Sequence, residues 1–364
     1  MAFLNSRLGK VASIKRPGAD VQEVAVEVEG IESRAVNYTA LTGEVSPGDE
    51  VLLNTTAVDL SLGTGGVHFI MCNLSNPAHK SQPRPGHIMK LRYTPLQSAV
   101  LAVEEDDSPD QDAIREFAGL QGMPVVCCEL HSQIAPAAAA VKALSGEKVR
   151  VAYIMTDGAA LPLGFSRLVA ELKAKDLIDV TLTCGQAFGG DIETVNIYTA
   201  LIAAREVAHA DVAIVSQGPG NAGAGSKFGF SGIQQGEALN AVSILGGNPI
   251  AAVRMSFADR RERHRGVSHH ALTILEDIAV KPVAVAVPEL PEQQACGIEK
   301  QLEDVRNKSL HSIYVRSGEV GLTELSRLGI RVKTMGRAVE EDREFFLAAS
   351  AAGTLAAEFL SARD

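Results

Sequence analysis

Between Ser256 and Thr273 the chain reads SFADRRERHRGVSHHALT, which gathers three of its nine histidines and four arginines into one short stretch. Imidazole titrates near neutral pH and binds metals, guanidinium grips carboxylate and phosphate oxygens in a rigid fork, and a helix N-terminus adds oriented N–H donors. Ser268 is placed to cap a helix, which puts His269 and His270 in its first turn, one toward a ligand and the other packing. His264 and His269 are five apart, so they are not the i, i+4 pair of a zinc-protease helix. The stretch supports proton transfer by His264 or His269, or metal ligation, with Arg265 as an anion clamp.

Further candidates follow the apolar runs upstream. His131 follows VVCCEL and Asp157 follows VRVAYIM; with His264 and His269 they make a possible divalent-metal or acid/base set. Hydrogen-bonded, metal-free histidines are the plainer alternative, and an Asp-Gly turn at Asp157 needs no function. After DVAIVS comes QGPGNAGAGSKFGFSG, in which Gly218, Gly220, Asn221, Gly223 and Gly225 can bring backbone N–H groups to an anion. Pro219 removes one donor and no helix follows at once, so this is not the dinucleotide fingerprint; Lys227-Phe228 rules out a phosphate-binding Walker loop. Asp191 is a ligand candidate whose plain reading is a cap on a helix starting near Ile192. Cys184 is the one cysteine placed to act as a nucleophile, although a buried inert thiol is the commoner case.

These residues share a position. Five successive apolar runs end in loops rich in Gly, Asp, Asn, His or Arg, whereas opposite-end loops such as AKDLID and VAHAD are ordinary. From residue 123 onward the rhythm is strand, polar loop, helix, with candidate strands VVCCEL, VRVAYIM, DVTLTC, DVAIVS, PIAAVRM, PVAVAV, SIYV and RVKT. That rhythm predicts an α/β fold, a doubly wound, mostly parallel, Rossmann-like sheet, with a TIM barrel as the second choice. Ligands of such sheets bind beyond the carboxyl ends of the strands. Residues 1–103 read instead as short alternating strands broken by Gly, Pro and Asn, a small β-barrel or β-sandwich. Residues 104–122, beginning EEDDSPDQD, read as an acidic linker and connecting helix, and 123–364 as the α/β domain with a C-terminal helix.

Composition narrows the partners. A net charge of −10 opposes a general nucleic-acid surface, and no apolar run is long enough to cross a bilayer. Five scattered cysteines without a C-x-x-C pair suit a reduced, cytoplasmic chain. A homo-oligomer is compatible with all of this.

The motifs TDGAALP, TCGQAFGGDIETVN, GPGNAGAGSKFGFSG and SFADRRERHRGVSHH together resemble a bacterial family that carries only a domain-of-unknown-function label. The resemblance spans nearly the whole chain and implies no activity. From Thr183 to about Phe257 the chain is also similar to part of the substrate-binding subunits of glycine and proline reductases, through Cys184-Gly185, Ala210-Asp211, Gly218 to Gly225 and Leu245 to Pro249. That second likeness implies a doubly wound scaffold whose Gly-Pro-Gly-Asn loop approaches a small carboxylate; the redox-active residue of those proteins has no counterpart here.

The expectation is an enzyme acting on a small anionic metabolite, with hydrolysis the least demanding chemistry. The alternative is a ligand-sensing protein that uses the same pocket without turnover.

Overall fold

The computed structural model describes residues 3–18, 20–62, 66–78, 85–308 and 310–363. The chain forms two compact units, residues 1–85 with 91–99, and residues 86–90 with 100–364.

The first unit is a closed five-stranded barrel of β1 (Ser6–Arg16), β2 (Val21–Val28), β3 (Ile31–Tyr38), β4 (Glu50–Asn54) and β5 (His68–Asn73), in the order β1-β2-β3-β5-β4. β1 closes on β4 antiparallel, and β3 meets β5 in parallel. Alternation builds it: Val24, Val26 and Val28 point inward with Val11, Ala35, Val51, Leu53 and Ile70. Closure removes the free edges that a small open sheet would expose.

The second unit holds an eight-stranded parallel sheet of β6 (Pro124–Cys128), β7 (Val151–Thr156), β8 (Val180–Thr183), β9 (Ile192–Glu193), β10 (Val212–Gln217), β11 (Asn248–Ala252), β12 (Ala284–Pro288) and β13 (Ser312–Arg316). The order is β9-β8-β7-β10-β6-β11-β12-β13. Both faces of the central strands β6, β7, β10 and β11 are covered, so these are buried nearly end to end and mostly apolar rather than half polar. On one face Val126, Tyr153, Ile214 and Ala252 pack under α1 (Ile134–Ser145) and the terminal helix α6 (Arg343–Ser361). On the other, Val125, Cys127, Ile154 and Val215 pack under α3 (Ile197–Glu206) and α4 (Gln234–Ile244).

The expected α/β fold and preceding barrel are therefore present, and the sheet is open rather than a TIM barrel. Two local readings differ. RVKT supplies only Lys333–Thr334, paired with Arg337–Ala338 outside the main sheet. Its place as eighth strand is taken by Ile192–Glu193, which had read as the start of a helix. Asp191 therefore caps nothing: the next helix begins at Ile197, where Asn196 accepts from the backbone N–H groups of Tyr198 and Thr199. Asn196 takes the cap because Ile192–Glu193 pair with β8 as a strand, which moves the helix start to Ile197; Asp191 instead accepts from Thr181 and Lys173. Among the described residues no helix is long and apolar enough to cross a membrane.

Candidate metal centre at the switch point

Three adjacent strands deliver the polar groups. β10, β6 and β11 lie side by side, and at their carboxyl ends stand Gln217, Glu129 and, two residues beyond β11, Arg254. All three are buried. The chain leaves β6 through α1 on one face and β10 through α4 on the other, so the winding reverses here, and the diverging connections of open parallel sheets make such a point the usual ligand crevice.

Glu129 is the hub. Its Oε1 accepts from Arg254 Nη1 at 3.0 Å and from His270 Nδ1 at 2.9 Å. Burial raises the Glu129 pKa, but the His270 hydrogen bond and the Arg254 charge outweigh burial and hold it below the ordinary carboxylate range. The carboxylate therefore stays ionised in a place where an unpaired charge would be expelled. Gly232 leaves the room this needs, since a Cβ there would stand 2.5 Å from Glu129 Cγ. Phe230 stacks flat on His270, ring centroids 3.8 Å apart.

The histidine stretch is folded back by a short hairpin, Met255–Ser256 against Gly266–Val267. Its base is tied by charge: Arg261 grips Asp259 with Nε at 3.0 Å and Nη2 at 2.8 Å, while Ser256 Oγ and Arg337 Nε both donate to Asp342. Ser268 does cap the helix α5 (His269–Thr273), accepting from His270 N at 3.2 Å. The same Oγ lies 2.8 Å from His264 Nδ1.

The result is a cluster in which the ligand nitrogens of His264, His269 and His270 all lie within 4.8 Å of one another. Nδ1 is engaged in His264 by Ser268 and in His270 by Glu129, which leaves Nε2 as the nitrogen each can offer a metal. His269 Nε2 is buried and takes no hydrogen bond from the described residues. Burial, followed by the Arg254 charge, lowers the His264 pKa to about 3; burial and neighbouring His270 lower that of His269. Both rings are thus neutral at pH 7, the form that ligates. Three imidazoles with a carboxylate behind one of them are a donor set that would suit zinc and similar divalent transition metals.

The remaining sequence candidates fall around this cluster. His131 is held by Ser166 Oγ at 2.6 Å, the Gln217 carbonyl at 3.2 Å and Tyr153 Oη at 3.1 Å, and burial lowers its pKa to about 4. It has the contacts of a Ser–His pair but the basicity of a structural residue. Asp157 accepts from Gln186 N at 2.8 Å and faces Gln234. Neither His131 nor Asp157 joins the three-histidine group. Asn221 Oδ1 accepts from Gln217, Ser231 and Gly232, so it ties the Gly-rich loop to the strand ends. A Cβ on Gly223 would lie 3.7 Å from His270 Cε1. Gly218 is buried against the Ala160 carbonyl, and Gly220 and Gly225 take positive φ on the exposed part of the loop. Asp191 is 2.7 Å from Lys173 Nζ and also accepts from Thr181, a tie between elements. The Arg265 side chain is exposed while its carbonyl accepts from Gln301; the arginine whose charge reaches His269 is Arg263. Cys184 is buried and its thiol is pushed up to about 12, which leaves it unreactive.

Glu129 and Arg254 escaped the sequence reading because each closes an apolar run, VVCCEL and PIAAVRM, and looks like part of a strand. The available signal was a lone charge at the carboxyl end of an otherwise apolar strand.

No curated protein and no solved structure matches the chain. A family model does, over residues 34–353, and it carries the barrel's later strands, the whole parallel sheet and the histidine stretch. The chain belongs to the protein family of unknown function DUF3866.

Proposed function

We propose that the switch-point cluster is the active site of a cytoplasmic, metal-dependent hydrolase that acts on a small carboxylate or phosphate metabolite. The observation that carries this reading is the convergence of His264, His269 and His270 within 4.8 Å, backed by the buried Glu129–Arg254 pair. A divalent metal held by His264, His269 and His270 would supply a water-derived nucleophile at neutral pH by bringing the pKa of bound water to about 7. The protein's part is to hold His270 by its Nδ1 through Glu129, to keep His264 and His269 neutral, and to present positive charge. Arg263 supplies that charge next to His269, and exposed Arg260 and Arg265 extend it. A carboxylate or phosphate is the substrate chemistry such a rim attracts.

The test is metal analysis of the untagged full chain, together with turnover on a panel of small carboxylate and phosphate esters and amides. About one zinc, manganese, iron or cobalt ion per chain is expected, with His264→Ala, His269→Ala and His270→Ala each losing it and any turnover. Protein that stays metal-free after equilibration with these ions would overturn the reading.

Ligand sensing without turnover draws support from a different observation: His264 and His270 are only 2% and 5% exposed. Stoichiometric metal with no turnover on the whole panel selects that alternative.

A further inference from the structure

A cavity of about 10 Å³ is lined by Glu129, Gln217, Thr156, Gln234, Gln235 and Cys128 among others, with none of the three clustered histidines in its lining. The orientation of Gln217 at this cavity follows from its partners. Gly232 N donates to Asn221 at 3.0 Å, so the receiving atom is the Asn221 oxygen. Gln217 donates to that oxygen at 3.1 Å and to the Glu129 carbonyl at 3.0 Å, which identifies the donating atom as Nε2 and turns Oε1 the other way. No described residue donates to Gln217 Oε1 or to Glu129 Oε2, and both atoms are buried.

The donors nearby have other partners, Gln234 Nε2 reaching Asp157 Oδ1 at 3.4 Å. Thr156 Oγ1 donates to Gln234 Oε1 at 2.7 Å, and Gln235 Nε2 donates to the carbonyls of Cys127 and Ala252. Glu129 and Gln217, each carrying a buried acceptor that no described residue reaches, both line this cavity. A buried acceptor without a partner costs about 1–3 kcal/mol, more when charged. The cavity has about the size that admits one water molecule.

We infer that this cavity is a binding site for one water-sized hydrogen-bond donor, a water molecule or an ammonium ion, bridging Glu129 Oε2 and Gln217 Oε1. The occupant completes the coordination of Glu129, whose other oxygen holds His270 and Arg254. It requires only Glu129 and Gln217, so it does not depend on the metal reading. Arg254 already balances the Glu129 charge, which favours the neutral occupant.

The experiment is a high-resolution crystal structure of the full chain, grown without ammonium salts, in metal-loaded and chelator-stripped forms. A single peak at roughly 2.7–3.2 Å from both oxygens is expected in both forms. An empty cavity, or a Gln217 side chain rotated so that Nε2 meets Glu129 Oε2, overturns the inference whatever the metal analysis shows. Thermal unfolding in ammonium chloride and in sodium chloride at equal ionic strength then distinguishes the occupants. Equal midpoints identify water; a midpoint that rises with the logarithm of ammonium concentration identifies ammonium. A methyl at residue 158 would stand 2.9 Å from Gln217 Oε1. Gly158→Ala, checked for folding by circular dichroism, is accordingly expected to lose the peak, and a peak unchanged in the folded variant also counts against the site.

Discussion

Two histidine-bearing networks, one around His131 and one around His264, His269 and His270, lie near the carboxyl edge of the same sheet and differ in how their lone pairs are met. Around His131 every ring nitrogen has a protein partner: Nε2 has Ser166, and Nδ1 has the Gln217 carbonyl and Tyr153. Around His264, His269 and His270 the network stops short, because His269 Nε2 and Glu129 Oε2 are buried without a donor or acceptor among the described residues. A closed polar network rigidifies a core and needs nothing more. One that ends on unmet lone pairs is either costly or built for an additional component. Polar density alone made His131 and His264 look alike in sequence; the satisfaction of their lone pairs tells the two networks apart.

That contrast can be broken by substitution. The largest effect is expected from Arg254→Met, which strands the fully buried Glu129 carboxylate. About 3–5 kcal/mol of unfolding free energy should be lost, measured by denaturant titration. A loss below 1 kcal/mol would mean that Glu129 is not held as an ion and would remove the hub from the open cluster.

Next in size is a pH effect of the closed cluster. The folded pKa of His131 is depressed from 6.5 to about 4 by burial, so between these values the unfolded chain binds a proton that the folded one refuses. Its contribution is complete above about pH 6.5 and falls away as the pH drops toward 4, by about 3 kcal/mol in all. His131→Gln should flatten stability in that window, and an unchanged pH profile would show that the ring is not excluded from water.

Smaller still is Ser166→Ala. It removes both the cap of helix α2 (Arg167–Ala174), where Ser166 accepts from Val169 N, and the partner of His131 Nε2. About 1–2 kcal/mol should be lost with no change in metal content; a loss of metal would place the two clusters in one site. The smallest effect is expected from Arg265→Ala. Its exposed side chain predicts stability within about 0.5 kcal/mol of the parent, measured by thermal unfolding. Against this, Arg263→Ala should weaken binding of a small anion, and equal effects of the two would erase the distinction between them.

Much of the scaffold was legible in the chain. Continuous apolar runs alternating with helices of ten to fifteen residues correspond to a buried parallel sheet because only a sheet covered on both faces is apolar along its whole length. The one-sided distribution of polar loops marked the edge, and Ser268 declared its helix because capping is a local affair of adjacent residues. Asp191 and Ile192–Glu193 were misread for the complementary reason: a two-residue strand has no period of its own and exists only through its pairing with β8.

By itself, then, the sequence determined the fold class and the preceding barrel, and it marked the carboxyl edge of the sheet and two of the three clustered histidines as candidates. Tertiary structure alone decided the company those histidines keep. Glu129 is 141 residues from His270 and 125 from Arg254, and the three meet only because β6 lies between β10 and β11 while a hairpin folds the histidine stretch back over the strand ends. Local propensity acts over a few residues, whereas charge pairing across that separation depends on strand order, and no spacing in the chain encodes it.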